Sequence, residues 1–408
     1  MPRRSADVTL LRDLVKQYLA ICAAPAQRER RDAWRRHNSL KPTRPLIYAR
    51  AFAWHEMPQA RLQCRDAFFR PYEHTLRHAI FWDSLGDDSI FPPWLTVAAV
   101  KVASGWGVEI KRHRSDDPGG SYKVDYAIKC PDDFAKLRAP RHGIDEAKTA
   151  AARDRLHDAV GDLIEINVDR GPAWRMWAGD LSTDLGQLRG IENFMVDMTD
   201  RPEWLHALMK FMSDGVLRAH DQAEAAGDWG LCAHQNQAMP YAEELADPAA
   251  NRNGVKRSQL WCFMAAQEFA LVSPAMHEEF LLNYQLPILS KFGLTAYGCC
   301  EDLTRKIAIL RRIPNLRRIA VSPFADVPRC AEQIGRDYVF SYRPSPADMV
   351  SYGLDDARVA AILRRDLTAC RECCVDITLK DVETVQKDPD RVRKWVALAR
   401  SVAEDCLR

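Results

Sequence analysis

Leu294-Thr295-Ala296-Tyr297-Gly298-Cys299-Cys300-Glu301 joins an apolar run that starts at Phe292 to a helical pattern that begins near Asp302. A short apolar strand, two adjacent thiols, a carboxylate and then a helix read as one strand-to-helix switch of a parallel sheet. In a parallel barrel the residues just past each strand end face the active side. Cys299, Cys300 and Glu301 therefore stand where function is expected.

The same rhythm continues outward. Strands are predicted over 260–267, 294–297, 318–321, 338–342 and 375–379, with helices over 274–292, 303–312, 327–334, 355–367 and 389–407. Upstream, 46–49, 163–168 and 230–234 read as three more short strands, which makes eight. Strands alternating with helices predict an α/β fold, a (β/α)8 TIM barrel. A doubly wound open sheet is the alternative, but no Gly-x-Gly-x-x-Gly follows any of these strands. Residues 1–43 read as an N-terminal helical extension and 44–408 as the barrel. Two alternating segments, 106–113 and 122–129, flank Asp116-Asp117-Pro118-Gly119-Gly120 and predict a β-hairpin insertion at about 105–130.

Composition narrows the classes. The 408 residues are 47% apolar, enough for one large α/β domain or two smaller ones. Lys plus Arg is 58 against 56 Asp plus Glu, and that balance gives no footprint for nucleic acid. Charge runs such as Arg28 to Arg31 mix signs at helical spacing and read as a solvated helix face. No apolar stretch is long enough to span a bilayer, and the start shows no cleavage pattern, so a cytoplasmic protein is expected. Twelve cysteines in such a setting read as thiols or metal ligands rather than a disulfide framework.

Polar residues at the predicted strand ends supply the candidate site. They are Gln267 and Glu268, Cys299 to Glu301, Tyr342 and Arg343, and Lys380 and Asp381. Zinc favours Cys, His and carboxylate ligands and keeps one position open in a catalytic site. Cys299 or Cys300 with Glu301 would supply two ligands, and His55, His234, Gln267 or a C-terminal cysteine the rest. Neighbours on a strand point to opposite faces, so both thiols could ligate only across a turn, which Gly298 permits. Vicinal cysteines lining a core are the plainer alternative. Glu268 reads as a general base, a ligand or a helix cap. Lys380 and Asp381 read as carboxylate binders or as an ion pair, and Arg343, on a loop before Pro344, as an anion binder. Glu301, Glu268, Arg343 and Lys380 form the candidate catalytic set, and His55, His234, Gln267, Tyr297, Tyr342 and Asp381 the candidate substrate contacts. No Gly-x-Ser-x-Gly elbow is present.

Ser273-Pro274-Ala275-Met276-His277-Glu278-Glu279-Phe280, Lys291-Phe292-Gly293-Leu294 and Tyr297-Gly298-Cys299-Cys300-Glu301 together resemble the uroporphyrinogen decarboxylase-like superfamily. So do Ile313 to Ile319 and Leu379-Lys380-Asp381-Val382-Glu383-Thr384-Val385. The resemblance covers the C-terminal half and extends more thinly to Arg44-Pro45, Asp87-Asp88 and Gly105-Trp106-Gly107. It implies a (β/α)8 barrel with its cleft at the strand C-termini. True uroporphyrinogen decarboxylases carry a Gln-Ala-Gly-Arg-Tyr pattern after their N-terminal arginine loop. Here Arg44 to Arg50 keeps the opening, and Ala51-Phe52-Ala53-Trp54 replaces the rest.

The chain is more similar to the corrinoid-linked methyltransferase branch, which binds zinc through His-x-Cys and a later cysteine. Tyr297-Gly298-Cys299 occupies the His-x-Cys place without the histidine, and Cys373 or Cys374 resembles the later cysteine. The implied zinc ligands are Cys299, Cys300, Glu301 and Cys373. The chain has no Asp-x-His-x-x-Gly corrinoid motif, so a corrinoid would sit on a separate partner protein. A small-molecule substrate and a second copy of the chain are the other expected partners. The implied activity is zinc-dependent methyl transfer or demethylation of a small methylated substrate, with a corrinoid or thiol acceptor. Two alternatives are a cofactor-independent decarboxylase or lyase of a carboxylated substrate and a non-catalytic binding barrel.

Overall fold

Pro45 has no backbone donor and so can only open a strand, and the chain enters its sheet directly after it. The computed structural model describes residues 5–50, 52–102, 105–116, 121–351 and 353–406. Its strands are β1 (Leu46–Ala49), β2 (Trp94–Ala98), β3 (Lys111–Arg114), β4 (Tyr122–Asp125), β5 (Glu165–Asp169), β6 (Trp261–Met264), β7 (Leu294–Tyr297), β8 (Leu316–Val321), β9 (Val339–Tyr342) and β10 (Cys374–Leu379). Six of them form one parallel sheet in the order β1-β10-β9-β8-β7-β6. β2 and β5 form a second, parallel pair.

The fold is α/β, as expected, but the described residues do not form a closed hydrogen-bonded barrel. Among the described residues no ladder joins β1 to β2 or β5 to β6. Side chains take over at those edges. Asp88 Oδ2 accepts from Ile47 N at 2.8 Å and Asp87 Oδ2 from Ala49 N at 2.8 Å, along the free edge of β1. On β6, His234 Nδ1 accepts from Trp261 N at 3.2 Å, and on β5 Asn251 Oδ1 accepts from Val168 N at 3.1 Å. Buried backbone donors must be satisfied by some partner, and here carboxylates, an imidazole and an amide serve in place of a neighbouring strand.

One expected strand is corrected. Residues 230–234 hold a single 3-10 turn, Leu231–Ala233, with an isolated antiparallel bridge from Gly230 to Asn253. β2, at Trp94–Ala98, is the strand that the sequence reading passed over. It follows directly on Pro92-Pro93, and the residue before each proline is held in extended backbone. The predicted strand 260–267 stops at Met264, after which the chain bends into the turn Gln267–Phe269. The arms of the predicted hairpin are β3 and β4, paired antiparallel from Lys111↔Asp125 to Arg114↔Tyr122. Residues 117–120 of its turn lie outside the described residues.

Period-two alternation sends the two faces of the large sheet to different surroundings. Ile47, Met264, Tyr297, Ile319, Phe340, Ile377 and Leu379 join the main apolar core with the crossover helices. Trp261, Phe263, Leu294 and Ala296 point the other way and pack with Trp177 and Cys299. A second core lies around the β2–β5 pair, where Leu11, Leu14 and Val15 of helix Ala6–Cys22 meet Leu76, Leu95 and Ile166. At the N-terminal end of β8 to β10 the sheet carries buried charge. Arg318 Nη2 donates to Asp376 Oδ1 at 2.6 Å and to Ser341 Oγ at 2.9 Å. His37, from helix Pro25–Asn38, places Nε2 3.0 Å from Asp376 Oδ2. No helix among the described residues is long and apolar enough to cross a membrane.

Candidate active site

Because β1 and β6 to β10 are parallel, the residues that follow them lie along one edge. Gly298, just past β7, has φ +93°, and a Cβ there would stand 2.4 Å from Leu303 Cδ1. Only glycine holds that turn without strain. The turn overrides strand alternation and brings Cys299 Sγ and Cys300 Sγ to 3.6 Å of each other. Lys380, past β10, points its ammonium between them, with Nζ 2.9 Å from Cys300 Sγ and 3.3 Å from Cys299 Sγ. It also donates to Asp381, whose Oδ2 is 3.6 Å from Cys300 Sγ. Asp381 has φ +57°, a backbone state that short polar residues tolerate and that gathers at functional sites.

Hydrogen bonding, charge and burial drive the two thiols in opposite directions. The hydrogen bond from Cys300 and the positive charges of Arg343 and Lys380 pull Cys299 below the ordinary cysteine value, against the opposing effect of burial. Cys300 is pushed up by that same hydrogen bond and by burial. Burial pulls Lys380 down, but the thiolate and Asp381 outweigh it, so the ammonium is retained. An ammonium between two sulfurs favours the thiolate, the form in which sulfur is a nucleophile.

Gln267, Cys299, Cys300, Lys380 and Asp381 line one cavity of about 430 Å³, together with Arg50 and Trp177. Arg50 follows β1 and donates to Gln237. Trp177 sits in the turn Met176–Ala178, held edge-on against Phe263 at 4.9 Å between ring centroids. Sequence reasoning missed both as site residues. Arg50 carried a signal, a cation directly past a strand. Trp177 carried none, because its position depends on a loop closing over the sheet.

Other expected site residues lie elsewhere. Glu301 is buried with both oxygens occupied, Oε1 by Ala266 N at 2.8 Å and Oε2 by Cys299 N at 2.9 Å. It ties the end of β6 to the cysteine turn. Arg343 is buried and donates to the Cys299 carbonyl at 3.0 Å, so it holds the same turn from the other side. Glu268 accepts from Ser182 Oγ at 2.5 Å and is not among the residues lining the cavity. Tyr297 and Tyr342 point to the helix layer: Tyr297 OH donates to Gln285 Oε1 at 2.7 Å, and Tyr342 OH to Asp366 Oδ2 at 2.5 Å. His234 stands at the opposite end of β6, with Nε2 on Ala246 O at 3.1 Å. His55 is exposed in the turn Trp54–Glu56.

The expected zinc ligands are not assembled. Cys373 precedes β10 while Lys380 follows it, and six residues of strand separate them by about 20 Å. Its Sγ turns to Ala331 O instead. Glu301 is engaged by backbone donors, and the ammonium of Lys380 fills the space between the remaining thiols. No group of three or more His, Cys, Asp or Glu residues among those described is placed to hold a metal. The donor set as placed does not fit zinc.

No protein-family model and no curated protein matches the chain. Among solved structures, the fold is similar to that of a methyltransferase from Methanosarcina mazei, with a TM-score of 0.52 at 12% identity. That likeness covers 91% of this chain and 98% of the other, and it concerns the fold.

Proposed function

We infer that the chain is a methyltransferase for a small methylated substrate, with the Cys299–Cys300 thiolate as the group that meets the methyl carbon. The observation that carries this reading is the ammonium of Lys380 between the two sulfurs at 3.3 and 2.9 Å. A stabilised thiolate in a walled cavity attacks a methyl carbon in line. The new S–C bond forms as the bond to the leaving group breaks, and the electron pair departs with that group. Trp177 walls the cavity beside the thiolate, Arg50 and Lys380 favour an anionic substrate, and Glu301 and Arg343 fix the cysteine turn. Likeness of fold to a methyltransferase supports the class. Zinc, which the resemblance assigns to these thiols, gives way here to Lys380; a corrinoid on a separate protein is the proposed final acceptor.

The test is incubation with methylated amines, thioethers and aryl ethers, followed by peptide mass mapping. Gain of one methylene's mass on the Cys299–Cys300 peptide, absent from Cys299→Ser, supports the reading. A panel that leaves both thiols unmodified while releasing carbon dioxide from a carboxylated substrate would instead favour a decarboxylase, the second reading that Arg50 and Lys380 in one cavity make chemically reasonable.

A further inference from the structure

A second thiol with an acid–base partner lies at the other end of the sheet. Cys374 opens β10, half-buried, and its Sγ is 3.4 Å from His37 Nδ1. The other ring nitrogen of His37 is 3.0 Å from Asp376 Oδ2, and Asp376 is itself fixed by Arg318. With Nε2–H donating to the carboxylate, Nδ1 faces the Cys374 sulfur and shares a proton with it. Thiol, imidazole and carboxylate in that sequence are the nucleophile, base and orienting group of a thiol active site. Cys374 Sγ also stands 3.4 Å from the His37 carbonyl, which keeps the sulfur beside the ring.

A cavity of about 280 Å³ opens onto His37 and Cys374. Lys41, Arg336 and Arg371 line it, with Glu372 as the opposing charge. Lys41 also bonds Glu243, and Arg336 and Arg371 share Glu372, at 3.0 and 3.8 Å. Three cations against one lining carboxylate leave the mouth positive, which selects anionic visitors. The methyl-transfer cavity lies past the C-terminal ends of the strands, so this site is separate from it and makes no use of Lys380.

We propose that Cys374 is a second reactive centre, one that exchanges with small anionic disulfides. With the proton shared by the pair on His37, the Cys374 sulfur attacks one sulfur of the incoming R–S–S–R. The S–S bond breaks as the mixed disulfide Cys374–S–S–R forms. The departing R–S⁻ carries away the electron pair and is protonated from His37 or water. Cys373, the neighbour, also lines the cavity, but its Sγ is turned to Ala331 O at 3.7 Å and has no imidazole beside it.

The experiment treats the full chain at neutral pH with a limiting amount of a dicarboxylated disulfide, 5,5′-dithiobis(2-nitrobenzoate). A neutral disulfide, bis(2-hydroxyethyl) disulfide, is run beside it. Mass mapping follows Cys374 and the exposed Cys130 in the same molecules. Cys374 is expected to be modified at least about tenfold faster than Cys130, the gain that a thiol paired with a base shows over a free one. Its preference for the dicarboxylated reagent over the neutral one is expected to exceed that of Cys130. His37→Gln is expected to bring Cys374 to the rate of Cys130. Because His37 is buried, the wild-type ratio stands as a measurement that needs no variant. A wild-type Cys374 no faster than Cys130 overturns the reactive centre, and equal reagent preference at both thiols overturns the anionic class.

Discussion

Lys380 reaches Cys300 across 80 residues of sequence, its Nζ 2.9 Å from the sulfur. Replacing that ammonium removes the charge closest to both thiols. Lys380→Met is expected to raise the apparent pKa of the pair by about one unit, and from about 6 that lowers the thiolate fraction at pH 7 about twofold, and towards pH 5 about tenfold. Iodoacetamide labelling of the Cys299–Cys300 peptide at pH 5 and pH 7 measures this. Unchanged labelling would mean that the thiolate is held by something other than Lys380.

The same ammonium decides what happens with metal. Wild-type protein dialysed against zinc and then buffer is expected to keep no stoichiometric zinc at the thiol pair. Lys380→Ala, which frees Cys299, Cys300 and Asp381, is expected to gain affinity. Elemental analysis of wild type, Lys380→Ala and Cys299→Ser compares the two cases. About one zinc per wild-type chain, lost in Cys299→Ser, would restore zinc to the mechanism.

Glu301 accepts two backbone N–H groups, and a glutamine would set its amide against one of them. Glu301→Gln is expected to destabilise the fold by about 1–3 kcal/mol, the penalty for a buried donor left unsatisfied. Urea denaturation reads this directly. A variant of wild-type stability with no methyl transfer would instead place Glu301 in the chemistry.

The buried His37–Asp376–Arg318 group predicts a pH window. Burial pulls His37 down, but Cys374 and Asp376 outweigh it and push it up to about 9. Burial pushes Asp376 up, but Arg318 and His37 outweigh it and hold it at about 2. A raised histidine contributes stability in full below its unfolded value of about 6.5, and loses it as pH climbs through the folded value. A depressed carboxylate contributes in full above about 3.9 and loses it as pH falls towards the folded value. Stability from this group is therefore highest between about pH 4 and 6.5 and declines towards pH 9. Urea midpoints across that range, with His37→Gln flattening the alkaline slope, test the assignment.

The site was legible where local chemistry announces itself. Gly298 before two thiols marked a turn at the end of an apolar strand, and Lys380-Asp381 stood at another strand end, three strands further along the chain. Those residues meet because parallel strands put their ends on one edge. Glu301 and Arg343 looked chemical because a buried charge after a strand must find a partner, and the sequence does not say that the partner is the backbone of the neighbouring turn. Tyr297 and Tyr342 fell on the helix side because alternation within a strand needs an exact register, which an apolar run on both faces does not display. Cys373 failed as a ligand for a reason of length: a strand carries its two ends apart.

Asp87 and Asp88 do more than complete the edge of β1. A bare sheet edge invites another chain to dock by strand addition, and repeated docking of that kind leads to aggregates. By occupying the amides of Ala49 and Ile47, the two buried carboxylates leave an approaching strand no donors there. At those two amides the edge of β1 offers nothing to strand addition.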